Sequence, residues 1–272
     1  CAHRAAPVQV SYHDGTTSGL AEMDYFLTDD FLNPPDTEEM FTEALYRLPV
    51  FYQYPLLEEA PPVAAVPVEQ TGMITFGSFN NPAKMNDEVI RLWSKVLGSV
   101  SGSRLLLKNK NLYHQTSLRG GVLERFQAYG IGQDRIVFAV TLDRMREHLE
   151  RYREVDIALD PFPFNGATTT FQALWMGVPV VSLAGNTFIS RTAGSILHHL
   201  GLGELLVDTP EAYVACARDL AGDIARLKTF RTTLRDRITA SPLCDAPIYA
   251  RNVEAAYREI WQKWCTQAKN TP

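Results

Sequence analysis

The run NGATTT, at positions 165–170, combines residue types that can bind an anion through backbone and hydroxyl groups. It follows VDIALD (155–160), which is typical of a buried strand, and leads into TTTFQALWMG (168–177), whose spacing predicts a helix. The N-terminus of a helix carries free N–H donors and the positive end of the helix dipole, so it can bind a phosphate. We interpret the run as a candidate diphosphate site, although a plain capped turn would use the same residue types.

The individual residues of this run support that interpretation. Gly166 and the small Ala167 let the backbone approach a ligand closely. Thr168 or Thr169 can cap the helix with a side-chain oxygen, which leaves backbone N–H groups and hydroxyls directed outward. Asn165 opens the run and is a candidate contact together with these four residues.

A lysine lies in the loop SFNNPAK (78–84), directly after the strand predicted for MITFGSF (73–79). Lys84 could direct its ammonium to the same phosphates, with Asn80 or Asn81 adding donors. An exposed loop lysine is usually only solvated, and it is the position at the carboxyl end of a strand that favours binding.

A third candidate is the segment MREHLER (145–151). His148 and Arg151 are three residues apart, so a helix would place both on one face. An imidazole and a guanidinium there could stack on a base or hydrogen-bond to it. A surface helix with mixed charges is the alternative explanation of this spacing.

These loops need a scaffold, and the chain from residue 73 onwards predicts one. Strands are predicted at 73–79, 104–108, 135–139, 155–160, 179–183 and 204–207. Helices are predicted at 86–97, 121–130, 143–154, 168–177 and 190–201. This alternation predicts an α/β fold with a parallel sheet over residues 73–210, and ligands of such sheets bind beyond the carboxyl ends of the strands. We expect the remaining C-terminal helices, including the one with Tyr249, Tyr257 and Trp261, to pack back over this sheet.

The N-terminal part has a different character. PVQVSY (7–12) and MDYFLTD (23–29) predict short strands, which cannot bury a core of their own. We interpret residues 1–57 as the tail of a preceding domain, residues 58–72, rich in Pro and Ala, as a linker, and residues 73–272 as the main domain. We also expect the chain to be cut from a longer protein.

Composition excludes several classes of function. The net charge of −5 gives no electrostatic case for a nucleic-acid partner, and no apolar run approaches the roughly 20 residues that span a bilayer. The cysteines are scattered without metal spacing, which favours a reduced, cytoplasmic protein. GxGxxG, GxxxxGK[ST] and HExxH patterns are absent, so the usual signals for hydride transfer, P-loop chemistry and zinc hydrolysis are missing.

The three loops, in this order, resemble the catalytic region of the O-GlcNAc transferase family, glycosyltransferase family 41. The most specific stretch is REHLERYREVDIALDPFPFNGATTTFQALWMGVPVV, and the likeness extends from APVQV to ITASPLCD. The resemblance implies a GT-B architecture of two Rossmann-like domains, with a UDP-sugar bound mainly by the second. It implies inverting transfer of N-acetylglucosamine to Ser/Thr hydroxyls of a protein or peptide acceptor, with no cofactor and no essential metal.

The same resemblance assigns roles to residues. Lys84 corresponds to the family lysine that contacts the diphosphate and helps to stabilise the leaving group, so it is the candidate catalytic residue. Thr168 and Thr169 correspond to the pair that holds the phosphates, and His148 and Arg151 to the residues that hold uracil. We expect UDP to lie between residues 80–84, 140–151 and 165–170. The candidate donor-binding residues are Asn80, Asn81, His148, Arg151, Asn165, Gly166, Ala167, Thr168, Thr169 and Gln172.

Several positions depart from the family pattern. Asn81 stands where many members have a phosphate-contacting glutamine. Ala167 stands where animal members carry histidine, and Gln172 replaces an aspartate near the ribose, which predicts a weaker contact there. The tetratricopeptide repeats and most of the first Rossmann-like domain, with its proposed catalytic histidine, are not in this sequence. We therefore expect the chain to bind UDP without transferring sugar on its own.

Two alternatives remain open at this point. The chain could belong to a transferase that uses UDP-glucose or acts on an asparagine or a non-protein acceptor. It could also be a nucleotide-sugar-binding module without catalytic activity.

Overall fold

A computed structural model describes residues 3–12, 15–110, 112–139 and 144–269. Within these ranges the strands form two sheets, in which every strand pair is parallel. The predicted α/β fold with a parallel sheet is therefore confirmed. Residues 140–143, which we expected to contribute to the nucleotide site, lie outside the described residues.

The smaller sheet belongs to the N-terminal part. Its strands are β1 (Val10–Ser11), β2 (Tyr25–Asp29) and β3 (Ala44–Leu48), in that spatial order. Phe26 and Phe51 are buried, and both pack edge to face on Phe188 from the C-terminal part, with ring centroids 5.7 and 5.3 Å apart. The N-terminal strands thus share their core with the rest of the molecule, as their small size requires.

The larger sheet has the spatial order β6-β5-β4-β7-β8-β9. Its strands are β4 (Thr75–Ser78), β5 (Arg104–Lys108), β6 (Ile136–Ala139), β7 (Ile157–Leu159), β8 (Val180–Leu183) and β9 (Leu206–Val207). The chain builds outward from β4 to β6, then returns to the other side of β4 and builds outward again from β7. The crevice between β4 and β7 is therefore a topological switch point, where ligands of such sheets bind.

Helices cover this sheet and connect its strands. They are α1 (Val68–Thr71), α2 (Asp87–Ser99), α3 (Thr116–Ala128), α4 (Met145–Glu150), α5 (Thr168–Trp175), α6 (Thr192–His199), α7 (Pro210–Gly222), α8 (Ile224–Thr239) and α9 (Ala246–Lys269). On α2 the periodic residues Val89, Ile90, Trp93 and Leu97 are buried, as their spacing predicts. None of the described helices combines the length and apolarity that crossing a bilayer requires.

Some element boundaries differ from the prediction. The helix expected at 121–130 begins earlier, at Thr116. The helix expected up to residue 154 is α4, which gives way to a 3₁₀ turn at Arg151–Glu154. In the predicted linker, α1 forms, Val66 is buried, and the Asp156 carboxylate accepts hydrogen bonds from the backbone N–H of Val68 at 3.0 Å and of Thr75 at 2.8 Å. This segment packs on the C-terminal part, and the domain boundaries themselves stay a prediction.

The C-terminal helices divide between the two sheets. As predicted, α7 packs against β7, β8 and β9 of the larger sheet, and α8 packs on α5. The expectation for α9 is wrong, because this helix crosses to the smaller sheet and contacts β3. The Tyr46 hydroxyl donates to the Glu259 carboxylate at 2.8 Å, and Tyr12 hydrogen-bonds Tyr249. The physical reason is that β3 presents half-buried side chains that α9 can cover with its single apolar stripe, whereas α7 already packs on the larger sheet.

Candidate functional site

The candidate site lies at the carboxyl ends of the strands of the larger sheet. A cleft of about 410 Å³ opens there between the end of β5, helix α4 and the first turns of α5. His148, Thr168, Thr169 and Gln172, all predicted from sequence, line this cleft. The third predicted loop, 78–84, contributes Phe79 to this lining, whereas its predicted site residues Asn80, Asn81 and Lys84 lie outside it.

The turn before α5 is organised around a buried carboxylate. The Asp160 side chain accepts hydrogen bonds from the backbone N–H of Gly166 and from the Ser182 hydroxyl, both at 2.7 Å. A Cβ on Gly166 would lie 2.5 Å from the Thr169 Oγ1 and 3.0 Å from the Asn80 Oδ1. Glycine is therefore favoured at this position, because a side chain would collide with the Thr169 hydroxyl in the first turn of α5 and crowd Asn80 in the loop that follows β4.

Burial raises the pKa of Asp160 to about 7, and the hydrogen bonds from Ser182 and Gly166 and the charge of Lys84 act against this rise. The carboxyl group is fully enclosed beneath the turn. In the sequence, Asp160 stands out only as the last residue of a predicted strand, and no role is predicted for it. An acidic residue that ends a buried strand immediately before a glycine-containing turn is the signal that could have found it.

The first turn of α5 has no side-chain cap, contrary to the prediction. Ala167 is the N-cap residue, and Thr168 and Thr169 are the first two residues of the helix. The threonine hydroxyls are used elsewhere: Thr169 donates to the Asn80 Oδ1 at 2.8 Å, and Thr170 donates to the Gly166 carbonyl at 3.0 Å. Since no side chain caps this helix, its first N–H groups remain available to an anion, which strengthens the case for a phosphate site.

Lys84 reaches the same turn from the other side of the switch point. It ends a 3₁₀ turn, Pro82–Lys84, and its Nζ donates to the Asn165 carbonyl at 2.7 Å. The ammonium also lies 3.8 Å from the centroid of the Phe164 ring. The predicted meeting of Lys84 with the NGATTT run is therefore present in the fold.

The two asparagines beside Lys84 have different environments. Asn80 is buried and accepts the Thr169 hydrogen bond, so it ties the loop after β4 to the first turn of α5. Asn81 is exposed, and its side chain caps the 3₁₀ turn by accepting from the Ala83 N–H at 3.0 Å. Asn165 is buried and donates from its side chain to the Pro161 carbonyl at 3.0 Å. Asn80 and Asn165 thus act on the shape of the site, whereas Asn81 stays at its surface.

The opposite end of the cleft is formed by side chains from three elements. The His148 Nε2 and the Gln172 Oε1 are 2.9 Å apart, and the His148 Nδ1 bonds the Lys108 ammonium. Burial and the neighbouring Lys108 charge lower the pKa of His148 to about 4, despite the opposing Gln172 bond. Arg151 does not line the cleft: its guanidinium pairs with Glu154 at 2.6 Å, and its side chain is 43% exposed.

Sequence reasoning missed Lys108. It is the last residue of β5, fully buried, and it lines the cleft. The signal was present, since RLLLK ends an apolar strand with a charge at the edge where ligands bind. The adjacent residues His198 and His199 have a structural environment. His198 stacks on Phe31, and the His199 Nε2 lies 3.6 Å from the buried Asp29 carboxylate. Within the described ranges, no group of three or more His, Cys, Asp or Glu side chains could hold a metal ion.

Comparison with known proteins identifies the relatives of this chain. The sequence model of Glycosyl transferase family 41 matches residues 68–253. The "Probable UDP-N-acetylglucosamine--peptide N-acetylglucosaminyltransferase SPINDLY" of Arabidopsis thaliana is 39% identical over 264 residues, which are 96% of this chain and 29% of that protein. The UDP-N-acetylglucosamine--peptide N-acetylglucosaminyltransferase of Caenorhabditis elegans is 31% identical over 191 residues, 70% of this chain and 16% of that protein. The chain thus spans less than a third of the length of these curated relatives.

Solved structures show the same relationship. A mutant of the Thermobaculum terrenum O-GlcNAc transferase superposes with a TM-score of 0.86 at 33% identity, over 97% of this chain and 50% of that chain. Sucrose-phosphate synthase from Thermosynechococcus elongatus superposes with a TM-score of 0.56 at 17% identity, over 89% of this chain and 59% of that chain. The second likeness supports the fold alone.

Proposed function

The chain belongs to glycosyl transferase family 41, and on this premise we propose that it forms the donor-binding part of an inverting transferase. The donor is UDP-N-acetylglucosamine, and the acceptors of the complete protein are Ser/Thr hydroxyls of proteins or peptides. The observation that carries the proposal is the placement of Lys84 against the turn that opens α5, whose N-terminus no side chain caps. The names of the relatives support this donor and a peptide acceptor.

The chemistry of the site fits the departure of a nucleoside diphosphate. Breaking the bond between sugar and phosphate builds negative charge on the β-phosphate. The Lys84 ammonium and the first N–H groups of α5 would meet that charge from two sides of the switch point. Both groups are held before the ligand arrives, so they stabilise the growing charge without reorganising.

The same groups bear on the question of a cofactor. A divalent cation in a glycosyltransferase neutralises the diphosphate, and here a lysine and a helix N-terminus supply positive charge at that place. We therefore propose that the reaction needs no essential metal and no cofactor besides the UDP-sugar itself. Chelation of divalent cations should then leave transfer unchanged.

Donor binding is tested first on this chain. Calorimetry with UDP and UDP-N-acetylglucosamine should show saturable binding. A Gly166→Ala variant should weaken it, since the added Cβ would lie 2.5 Å from the Thr169 Oγ1 and displace the first turn of α5. Failure of the unmodified chain to bind either nucleotide would contradict the proposal.

Transfer is tested on the complete gene product that contains this chain. Sugar transfer to Ser/Thr peptides is measured with UDP-N-acetylglucosamine, UDP-glucose and a guanosine diphosphate sugar, and Asn-containing peptides serve as the acceptor control. Transfer from UDP-N-acetylglucosamine to Ser/Thr alone is the expected result. Preference for another donor or for asparagine would replace the proposed specificity, and binding without transfer would identify a nucleotide-sugar-binding module.

A further inference from the structure

Lys108 is a buried cation whose position the proposed function does not use. Its side chain is fully buried at the end of β5, and its Nζ lies 5.0 Å from the centroid of the Phe79 ring. Burial, and then the charge of Arg151, lower its pKa to about 8. Within the described ranges, no carboxylate is among the groups that shift this pKa. A buried charge without an ionic partner is unfavourable, so a ligand that brings an acceptor would stabilise it.

The contacts of Lys108 fix the direction of a short hydrogen-bond chain. An ammonium has donors only, so the His148 Nδ1 must accept from it. The other ring nitrogen of His148 then carries the proton and donates to the Gln172 Oε1 at 2.9 Å. His148 and Gln172 are thereby held in one orientation, and the ammonium of Lys108, at the wall of the cleft, has more N–H donors than the one that His148 accepts.

The position of Lys108 places it at the base end of a bound nucleotide. The diphosphate end is defined by Lys84 and the first turn of α5. Lys108 ends β5, which adjoins β4 on the side away from β7, and it is bonded to His148 of α4, whereas Lys84 bonds the turn that follows β7. A nucleoside diphosphate anchored at α5 would extend its base toward β5 and α4.

We propose that Lys108 is a specificity-determining residue that selects nucleotides whose base presents a carbonyl oxygen, over those that present an amino group at the corresponding position. Uracil and guanine present an oxygen there, at O4 and O6, whereas cytosine and adenine present an NH₂ donor. A donor-only ammonium bonds the first pair and is left unpaired against the second. The inference rests on the proposed function in one respect, that the ligand is a nucleoside diphosphate.

The test compares UDP with CDP by calorimetry on this chain, since the two differ at this edge of the base. We expect UDP to bind at least about tenfold more tightly, the effect of one charge-assisted hydrogen bond. Lys108→Met keeps the length of the side chain but removes its charge and its donors. This variant should bind UDP more weakly and bind CDP with nearly unchanged affinity. The preference, which is the ratio of the affinity for UDP to the affinity for CDP, then falls to about one. Lys95→Met, on the exposed face of α2, is the control and should keep the full preference.

A second variant and a pH series keep the test informative if Lys108→Met does not fold. A carbonyl acceptor favours the charged form of Lys108, so the preference is complete below the pKa of about 8 and falls as pH rises through it. Between about pH 7 and 8.5 the preference should fall about fourfold. Lys108→Arg stays charged and should keep it.

The other groups at the cleft are controlled in that series. His148, with its pKa of about 4, stays neutral over this range. Arg144 lines the cleft and Arg151 lowers the pKa of Lys108 through its charge, and both residues are the same in every variant of the series. Lys110 also lines the cleft, so the series is run in a Lys110→Met background. Ionisation of the uracil ring itself affects the parent and the Lys108→Arg protein equally.

Three outcomes would overturn the inference. UDP and CDP could bind the unmodified chain equally, or Lys108→Met could keep the preference. Lys108→Met could also weaken UDP, CDP and inorganic diphosphate to the same degree, which would make Lys108 a phosphate ligand. If the unmodified chain still binds UDP in any of these three outcomes, only the inference about Lys108 fails and the proposed function stands. Absence of binding by any nucleoside diphosphate would instead remove the proposed function and, with it, the inference.

Discussion

The two ends of the candidate site, the proposed diphosphate end and the proposed base end, are built in different ways. At the diphosphate end, side chains bond the backbone of the turn: Lys84 donates to the Asn165 carbonyl, and the buried Asp160 accepts from the Gly166 N–H. At the base end, side chains hold one another, as Lys108 bonds His148 and His148 bonds Gln172. The first end depends on the path of the main chain, and the second depends on a buried network.

This difference determines how each end should respond to substitution. A backbone-built anion site is complete before the ligand arrives, so losing the ammonium of Lys84 should affect catalysis rather than the shape of the turn. A buried side-chain network instead couples its members, so that changing one of them alters the proton position or the pKa of the next. Substitutions at the two ends should therefore differ in which quantity they change.

The largest effect is expected for Lys84→Met at the diphosphate end, in the complete gene product. If Lys84 meets charge that grows during bond breaking, kcat should fall ~100- to 1000-fold, or ~3 to 4 kcal/mol, while the donor KM changes little. Steady-state kinetics at varied UDP-N-acetylglucosamine measure both constants.

The control for this prediction is Lys95→Met, an exposed lysine of α2 that is remote from the cleft. Its kinetics should match those of the unmodified protein. A Lys84→Met protein with a raised KM and an almost unchanged kcat would mean that the lysine only attracts the nucleotide. Both ends of the site would then act only in nucleotide binding, and the distinction between a catalytic end and a binding end would be wrong.

The sequence predicted the diphosphate end better than the base end, for a physical reason. Lys84 and Gly166 lie in the connections that follow the neighbouring strands β4 and β7, and the α/β pattern alone brings such connections together. Predicting the meeting of Lys108 with His148 requires the depth of a strand end and the rotation of a short helix. Hydrophobic periodicity contains neither of these.

Two further errors have the same origin. A threonine cap on α5 was a sound local expectation, but Thr169 and Thr170 bond Asn80 and Gly166 instead, and only the tertiary structure brings Asn80 there. The position of α9 was also outside local reasoning, because its amphipathic pattern shows that one face is buried and does not show against which sheet.

A second prediction concerns the support of the diphosphate end. Because burial raises the pKa of Asp160 to about 7, the folded protein binds a proton there more tightly than the unfolded chain. Stability from this group is therefore complete below the unfolded pKa and is lost as pH rises through about 7. Between about pH 5 and 8 the loss should be about 2 to 3 kcal/mol. Urea unfolding of the unmodified chain and of Asp160→Asn at both values measures it.

Asp160→Asn is neutral at every pH and can still accept from the Gly166 N–H, so it should fold and lack this pH-dependent loss. Asp30→Asn, whose side chain is 77% exposed, is the matched control and should behave as the unmodified chain does. An equal pH dependence in the Asp160→Asn and unmodified proteins would mean that the carboxylate under the turn stays ionised throughout, and that the turn does not depend on its protonation.

The smallest effect is expected at Arg151, which the resemblance assigned to uracil and which the structure places in an exposed ion pair with Glu154. If the guanidinium reaches the base, it must first give up that ion pair. Arg151→Ala should therefore reduce the free energy of UDP binding by about 1.5 kcal/mol, the low end for a charge-assisted hydrogen bond.

Glu154→Gln separates the two roles of Arg151. Freeing the guanidinium should leave UDP affinity unchanged or slightly raised if Arg151 binds the ligand. If the ion pair only shapes the turn after α4, Glu154→Gln should weaken UDP as much as Arg151→Ala does. Calorimetry on both variants distinguishes these outcomes, and equal losses would leave Lys108 and His148 as the charged and ring contacts of the base end.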